Sequence, residues 1–254
     1  MKTICFFTAA AAGLLLLAAC THEMTTARVS DEGEVRAAAG NATLSYDYDV
    51  EYVTGGVAPE VMDKINRYII SREIFFDESE TGTDVPAACK RWAEDLINGY
   101  QIDTQDYMDD YDSDSSWMFN WEYSMSGSFA GACRSRHLQT YMMEDSDYTG
   151  GAHGMYAETY VVFDLTTGEV VRHEDLLRDG CQEELSEMIS DRILEDLDEE
   201  FTDAIFGTPG PNDNFSVDES GITWHYNPYE IAPYVLGVIE AQLSWKELEP
   251  FLKQ

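Results

Sequence analysis

Leu44, Tyr46, Tyr48, Val50 and Tyr52 alternate with Ser45, Asp47, Asp49 and Glu51. A period of two is what a strand with one face in a core and the other in water requires. Thr54-Gly55-Gly56 ends that strand. The period then lengthens: Val61, Ile65, Tyr68 and Ile69 fall on one side of a helix predicted from about Pro59 to Arg72, and Cys89, Trp92, Leu96 and Tyr100 do so in a second. From Trp117 it shortens again, with Phe119, Trp121, Tyr123 and Met125 on one side. Further strands are predicted over His137–Met143 and Tyr156–Asp164, the latter turning at Thr166-Thr167-Gly168 into Glu169-Val170-Val171.

A long helix follows, with Leu185, Met188, Ile189, Ile193 and Leu197 on its apolar stripe and acids over the rest. Phe206-Gly207-Thr208-Pro209-Gly210-Pro211 breaks the chain. Ile222, Trp224 and Tyr226 mark one face of another strand, and Leu236 to Leu243 predict a last one after the loop containing Pro228 and Pro233. Ser244-Trp245-Lys246-Glu247 has the spacing of a capping box and predicts a short closing helix. Strands grouped together, with helices beside them rather than regularly between them, predict an α+β fold built on an antiparallel meander with packed helices.

The N-terminus follows no such pattern. Met1-Lys2 precedes an apolar stretch from Cys5 to Ala19, closed by Leu17-Ala18-Ala19-Cys20. The stretch is short for a membrane span, which needs about 20 apolar residues, and it has the layout of a secretion signal. Its Leu-Ala-Ala-Cys ending resembles a bacterial lipobox, so residues 1–19 are expected to be a lipoprotein signal peptide and Cys20 the lipid attachment site. The expected address is the bacterial cell envelope, facing the periplasm or the cell surface, with the membrane reached through a lipid anchor. Residues 20–42 carry scattered charges and Ala37-Ala38-Ala39-Gly40 and read as a tether. Residues 43–115 form an N-terminal strand-helix region and 116–254 a C-terminal domain.

Charge narrows the range of partners. The chain has 15 basic and 49 acidic residues, and removing the signal with its Lys2 leaves 14 and 49. Nucleic acid is excluded as a partner, because phosphate binding needs a basic surface. An acidic surface can steer cationic proteins, or it can simply keep the chain soluble. Cys89, Cys133 and Cys181 are far apart. An oxidising compartment would allow one disulfide among them, although burial explains Cys89 and Cys133 equally well. No cysteine or histidine pair has structural-zinc spacing, and no metal or cofactor is expected. Asp110 begins an imperfect D-x-D-x-D, but Ser115 stands where an EF-hand has Gly and Trp121 where it has Glu, so an acidic solvated loop is expected there.

Three stretches together carry a family resemblance: YTGGAHGMYAETYVVFDLTTGEVVRHEDLL, ELSEMISDRILEDL and FSVDESGITWHYNPYEIAPYVLGVIEAQLSWKELEPFL. They resemble the C-terminal domain of the RsiV-like family, a domain of unknown function that occurs in lysozyme-sensing anti-sigma factors and beside a peptidoglycan deacetylase domain. The strand and helix over Leu44–Ile70 resemble the smaller domain that often precedes it. The most specific pieces are Gly150-Gly151-Ala152-His153 and Asn227-Pro228-Tyr229-Glu230-Ile231-Ala232-Pro233-Tyr234. The resemblance implies binding rather than turnover.

Gly150, Gly151, His153, Asn227, Tyr229 and Tyr234 are therefore the candidate ligand-binding residues. Each has a plainer reading as well. The glycines allow a tight turn or a close backbone approach, His153 can be a hydrogen-bonding turn residue, and the tyrosines can cover the core. No G-x-S-x-G, H-E-x-x-H or Ser-x-x-Lys is present, and no catalytic residue is assigned. The expected function is a non-enzymatic, lipid-anchored envelope module that binds or senses a cationic lysozyme-like protein or peptidoglycan. The alternatives are an envelope hydrolase acting on cell-wall material with His153 in its site, and a purely structural lipoprotein.

Overall fold

The computed structural model describes residues 23–37, 41–108 and 119–253. Cys20, the signal, Trp117 and the acidic loop beginning at Asp109 lie outside the described residues. Among the described residues, nine strands and five α-helices run in chain order: β1 (Thr25–Arg36), β2 (Thr43–Gly55), α1 (Pro59–Tyr68), α2 (Val85–Met108), β3 (Trp121–Cys133), β4 (Leu138–Tyr148), β5 (Met155–Asp164), β6 (Val170–Val171), α3 (His173–Leu176), α4 (Gln182–Asp196), β7 (Phe215–Val217), β8 (Gly221–Tyr226), β9 (Ile239–Ser244) and α5 (Trp245–Leu248). The fold is α+β, with a six-stranded sheet in the order β1-β2-β3-β4-β5-β6 and a three-stranded sheet β7-β8-β9.

The large sheet is antiparallel except where β2 and β3 run parallel. A parallel pair needs a long crossover, and α1, a π-helical turn over Ile69–Ile74, and α2 supply it. The β2–β3 pairing joins residues 43–115 and 116–254 in one sheet. The helix predicted to reach Arg72 is α-helical only to Tyr68 and continues as the π turn.

Two strands are absent from the sequence reading. Residues 25–36, read as part of a tether, form β1 and pair along their length with β2. Their side chains are mostly polar because β1 is an edge strand. Backbone hydrogen bonds hold it in place, with Arg28 bonding Asp49 at 2.8 Å, and neither effect leaves an apolar period to read. β7, with only three residues, is too short to show a period.

Each face of the large sheet has its own partner. Tyr48, Val50, Met125, Tyr141, Met143, Val161 and Phe163 form one core with Val61, Ile65, Ile69 and Cys89 from the helical crossover. The other face is covered at one end only. There Cys133, Leu138 and Val162 join Phe215, Ile222, Trp224 and Leu243 of the small sheet and Leu185, Ile189 and Ile193 of α4. Thr140 docks the two sheets, its Oγ1 donating to the Val217 carbonyl at 3.0 Å and accepting from the Val217 amide at 2.9 Å. Cys89, Cys133 and Cys181 are buried free thiols. Among the described residues no helix is long and apolar enough to cross a membrane.

Candidate functional site

The uncovered end of the large sheet holds the site. Strand alternation puts Ser45 and Asp47 of β2, Glu122 and Ser124 of β3, Ser146 and Tyr148 of β4 and Tyr156 of β5 on the same face, in register across four strands. Gly154 and Tyr234 join them around an open groove of about 480 Å³ that also borders Asp147. Its floor is acidic and rich in hydroxyls.

The β4–β5 connection folds back over one lip of the groove. Gly150 and Gly151 have φ of 95° and 103°, a region that side chains rarely enter. Tyr148 Oη donates to the Gly151 carbonyl at 3.1 Å, closing the turn. A Cβ on Gly154 would stand 2.7 Å from the Asp147 carbonyl, so this residue is glycine for close approach. Both explanations live in the backbone.

The loop between β8 and β9 meets this turn. Tyr234 Oη donates to the Gly154 carbonyl at 3.0 Å. His153 Nδ1 lies 2.8 Å from the same carbonyl oxygen. The His153 and Tyr234 rings stack with centroids 4.3 Å apart and planes inclined by 24°. Tyr156 and Tyr229 approach Tyr234 at 5.9 Å and 5.6 Å. Tyr229 is 53% exposed, Val235 80% and Met155 41%, so apolar surface faces water beside the acidic groove. Tyr229 also has a φ of 71°, a left-handed conformation that is uncommon for a bulky residue.

Asn227 serves a different purpose. Its Oδ1 accepts from the Glu158 amide at 2.8 Å and its Nδ2 donates to the Glu158 carbonyl at 3.0 Å. Asn214 does the same nearby, accepting from the Tyr160 amide at 2.7 Å and donating to the Glu158 carbonyl at 2.9 Å. The two side chains cap the edge of β5 where no strand follows, in place of a ladder. Of the six candidates, then, His153, Tyr229 and Tyr234 form one ring cluster, Gly150 and Gly151 shape the turn that precedes His153, and Asn227 positions the loop that carries the two tyrosines.

One constellation was not anticipated. Ser216 Oγ lies 2.8 Å from His225 Nε2, and His225 Nδ1 lies 3.0 Å from Glu240 Oε1. The hydrogen bond from His225 holds the Glu240 carboxyl below its usual range. A carboxylate only accepts, so Nδ1 carries a proton, and in the neutral imidazole Nε2 then accepts from the Ser216 hydroxyl. The Tyr160 ring lies parallel to the imidazole at 3.6 Å. Alternation puts His225 opposite the apolar face of β8, but its pairing with Glu240 depends on the register of β8 and β9, and Ser216 sits in the strand too short to be read.

The segment containing Asn227, Tyr229 and Tyr234 also carries the sequence similarity. Residues 174–246 match the family described as "Protein of unknown function (DUF3298)". That segment runs from α3 into α5 and includes Ser216, His225 and Glu240; Gly150, Gly151 and His153 precede it. The crystal structure of a DUF3298 family member from Bacteroides fragilis is similar over 92% of this chain and 95% of its own, at 20% identity and a TM-score of 0.82. A DUF3298 family protein from Pseudomonas aeruginosa is similar over 92% of this chain and 96% of its own, at 16% identity and a TM-score of 0.63. These likenesses establish a shared fold. No curated protein matches the chain.

Proposed function

We propose that this chain is a non-enzymatic, lipid-anchored binding or sensing module of the bacterial cell envelope, an RsiV-like C-terminal domain in a lipoprotein. Its ligand is a cationic lysozyme-like protein, with peptidoglycan as the alternative. The observation that carries this reading is the Tyr229–Tyr234–His153 ring cluster at the lip of the acidic groove. Exposed aromatic rings supply contact area at little entropic cost, and fixed acids beside them select a basic partner. The excess of acidic residues over the whole chain favours fast encounter with such a partner.

The test is binding of the purified protein to lysozyme and, in parallel, to an unrelated protein of similar positive charge, at low and at physiological salt. Screening shortens the reach of surface charge from about 30 Å at 0.01 M to about 10 Å at 0.1 M. Selective binding to lysozyme that persists at physiological salt supports recognition. Equal binding to both proteins, erased by salt, refutes it. Binding to peptidoglycan sacculi in the same assay identifies the alternative ligand.

A hydrolase reading has one observation in its favour, and it concerns His225 rather than His153. Ser216, His225 and Glu240 are ordered as a nucleophile, base and orienting acid would be. However, the Val217 amide is bonded to Thr140 and the His225 amide to Asn214, leaving neither free to stabilise an oxyanion. A fluorophosphonate probe that labels the wild type but not Ser216→Ala would revive this reading.

A further inference from the structure

The end of the large sheet opposite the groove has a different character. Glu23 and Met24, the first described residues, lie there in an open cleft of about 610 Å³ with Val57, Leu138 and Leu165 on its walls and Arg134 and His137 at its rim. Arg134, with 80% of its side chain exposed, lies 3.4 Å from Glu23, and its backbone amide donates to Glu219. Two residues on, the Arg136 guanidinium stands 4.4 Å over the Trp245 ring. Arginines therefore balance acids here, aliphatic side chains line the hollow, and an arginine–tryptophan pair flanks it. The groove end instead presents Asp47, Glu122 and Asp147.

The position of the N-terminus gives this contrast a direction. Cys20 lies three residues before Glu23, and an extended chain spans at most about 3.6 Å per residue, so a lipid on Cys20 enters the bilayer within about 11 Å of the cleft. We propose that this end, the Arg134–His137 turn with the cleft beside it, is the membrane-facing surface of the protein and seats against the phospholipid headgroups of the bilayer that holds the anchor. Arginine and tryptophan suit that boundary, because each joins an apolar body to a polar tip, and arginine bonds phosphate through its planar fork. An acidic surface would be repelled there by anionic lipids. β4 runs from this end to the groove over 11 residues, and at about 3.3 Å per residue that holds the aromatic cluster more than about 30 Å from the headgroups. This orientation rests on the proposed lipidation of Cys20.

The test uses the full acylated protein reconstituted into vesicles of phosphatidylethanolamine and phosphatidylglycerol, with a benzophenone amino acid at Ser135 or at Ala152. Both positions are exposed, and they mark the two ends. Illumination should give several-fold more lipid adduct from position 135 than from 152. Reversing both charges, Arg134→Glu with Arg136→Glu, should reduce the 135 adduct to the 152 level with acylation unchanged. Equal adducts at the two positions in protein whose mass shows an acylated Cys20 would overturn the orientation and leave the anchor standing. A mass showing unmodified Cys20 would overturn both. The comparison of 135 with 152 needs no folded double variant.

Discussion

The imidazole of His153 lies against the ring of Tyr234 at 4.3 Å, and Tyr234 Oη donates to the carbonyl of Gly154, the residue after that histidine. The contact joins the β4–β5 turn of the large sheet to the β8–β9 loop of the small one. Because the Gly154 carbonyl also meets His153 Nδ1, one backbone oxygen holds both rings. The His153–Tyr234 pair is therefore held in place before any ligand arrives, which lowers the ordering cost of binding.

Tyr229 separates function from stability at this site. Its left-handed backbone, at φ 71°, costs a bulky residue about 1–2 kcal/mol, a strain glycine would not suffer. Tyr229→Gly should leave stability unchanged or raise it by up to about 1 kcal/mol, while weakening partner binding about tenfold or more through loss of an exposed ring. Urea melts and titration calorimetry on the same samples measure the two effects. Unaltered affinity would remove Tyr229 from the binding surface.

Asn227 should behave in the opposite way. Asn227→Ala leaves the Glu158 amide without its side-chain acceptor, at a cost of about 1–3 kcal/mol if water does not replace it. The expected signature is faster hydrogen exchange at Glu158, with a lower urea midpoint. Exchange at the wild-type rate would mean that the Asn227 bond does not protect the Glu158 amide.

Much of the secondary structure could be read where an element carries one apolar face. β2, β8 and β9 carry a period of two and α4 carries Leu185, Ile189 and Ile193 on one stripe, whereas β1 is held by backbone pairing and its sequence reads as a tether. The candidate site was legible in part. Paired glycines permit a special backbone, and Gly150 and Gly151 both adopt positive φ. The role of Asn227 was not legible, since capping the edge of another strand depends on how the two sheets dock. The meeting of Ser216, His225 and Glu240 likewise depends on register across three strands, one of them only three residues long.

The anchor makes a prediction that is independent of the fold. If Cys20 is acylated, wild-type protein expressed with its signal should partition into detergent and carry the mass of its acyl chains. Cys20→Ser should partition into the aqueous phase without them. Aqueous partitioning of both would end the lipoprotein reading.

The stability of the fold should depend on pH through Glu73, which lies in the π turn and is 3% exposed. Burial, reinforced by nearby Asp145 and opposed by Arg72, pushes its carboxyl up to about 7. Asp145 is raised to about 7 as well, by burial and by Glu144. A carboxyl with a raised folded pKa holds its proton more tightly in the folded state than in the unfolded one. Its folded state is thus least penalised below the ordinary carboxylate range, near 4.5, and stability is lost as pH rises from there through about 7. Every tenfold gain in proton affinity on folding corresponds to about 1.4 kcal/mol, and the buried amide of a replacement glutamine would forfeit part of any gain. Glu73→Gln should therefore match the wild type within about 1 kcal/mol near pH 4.5 and exceed it by about 1–3 kcal/mol near pH 8. Urea midpoints across this range give the comparison. If the two stability curves run parallel from pH 4.5 to pH 8, Glu73 keeps its ordinary affinity for protons, and the buried carboxyl at the helix–sheet interface must be reached by water.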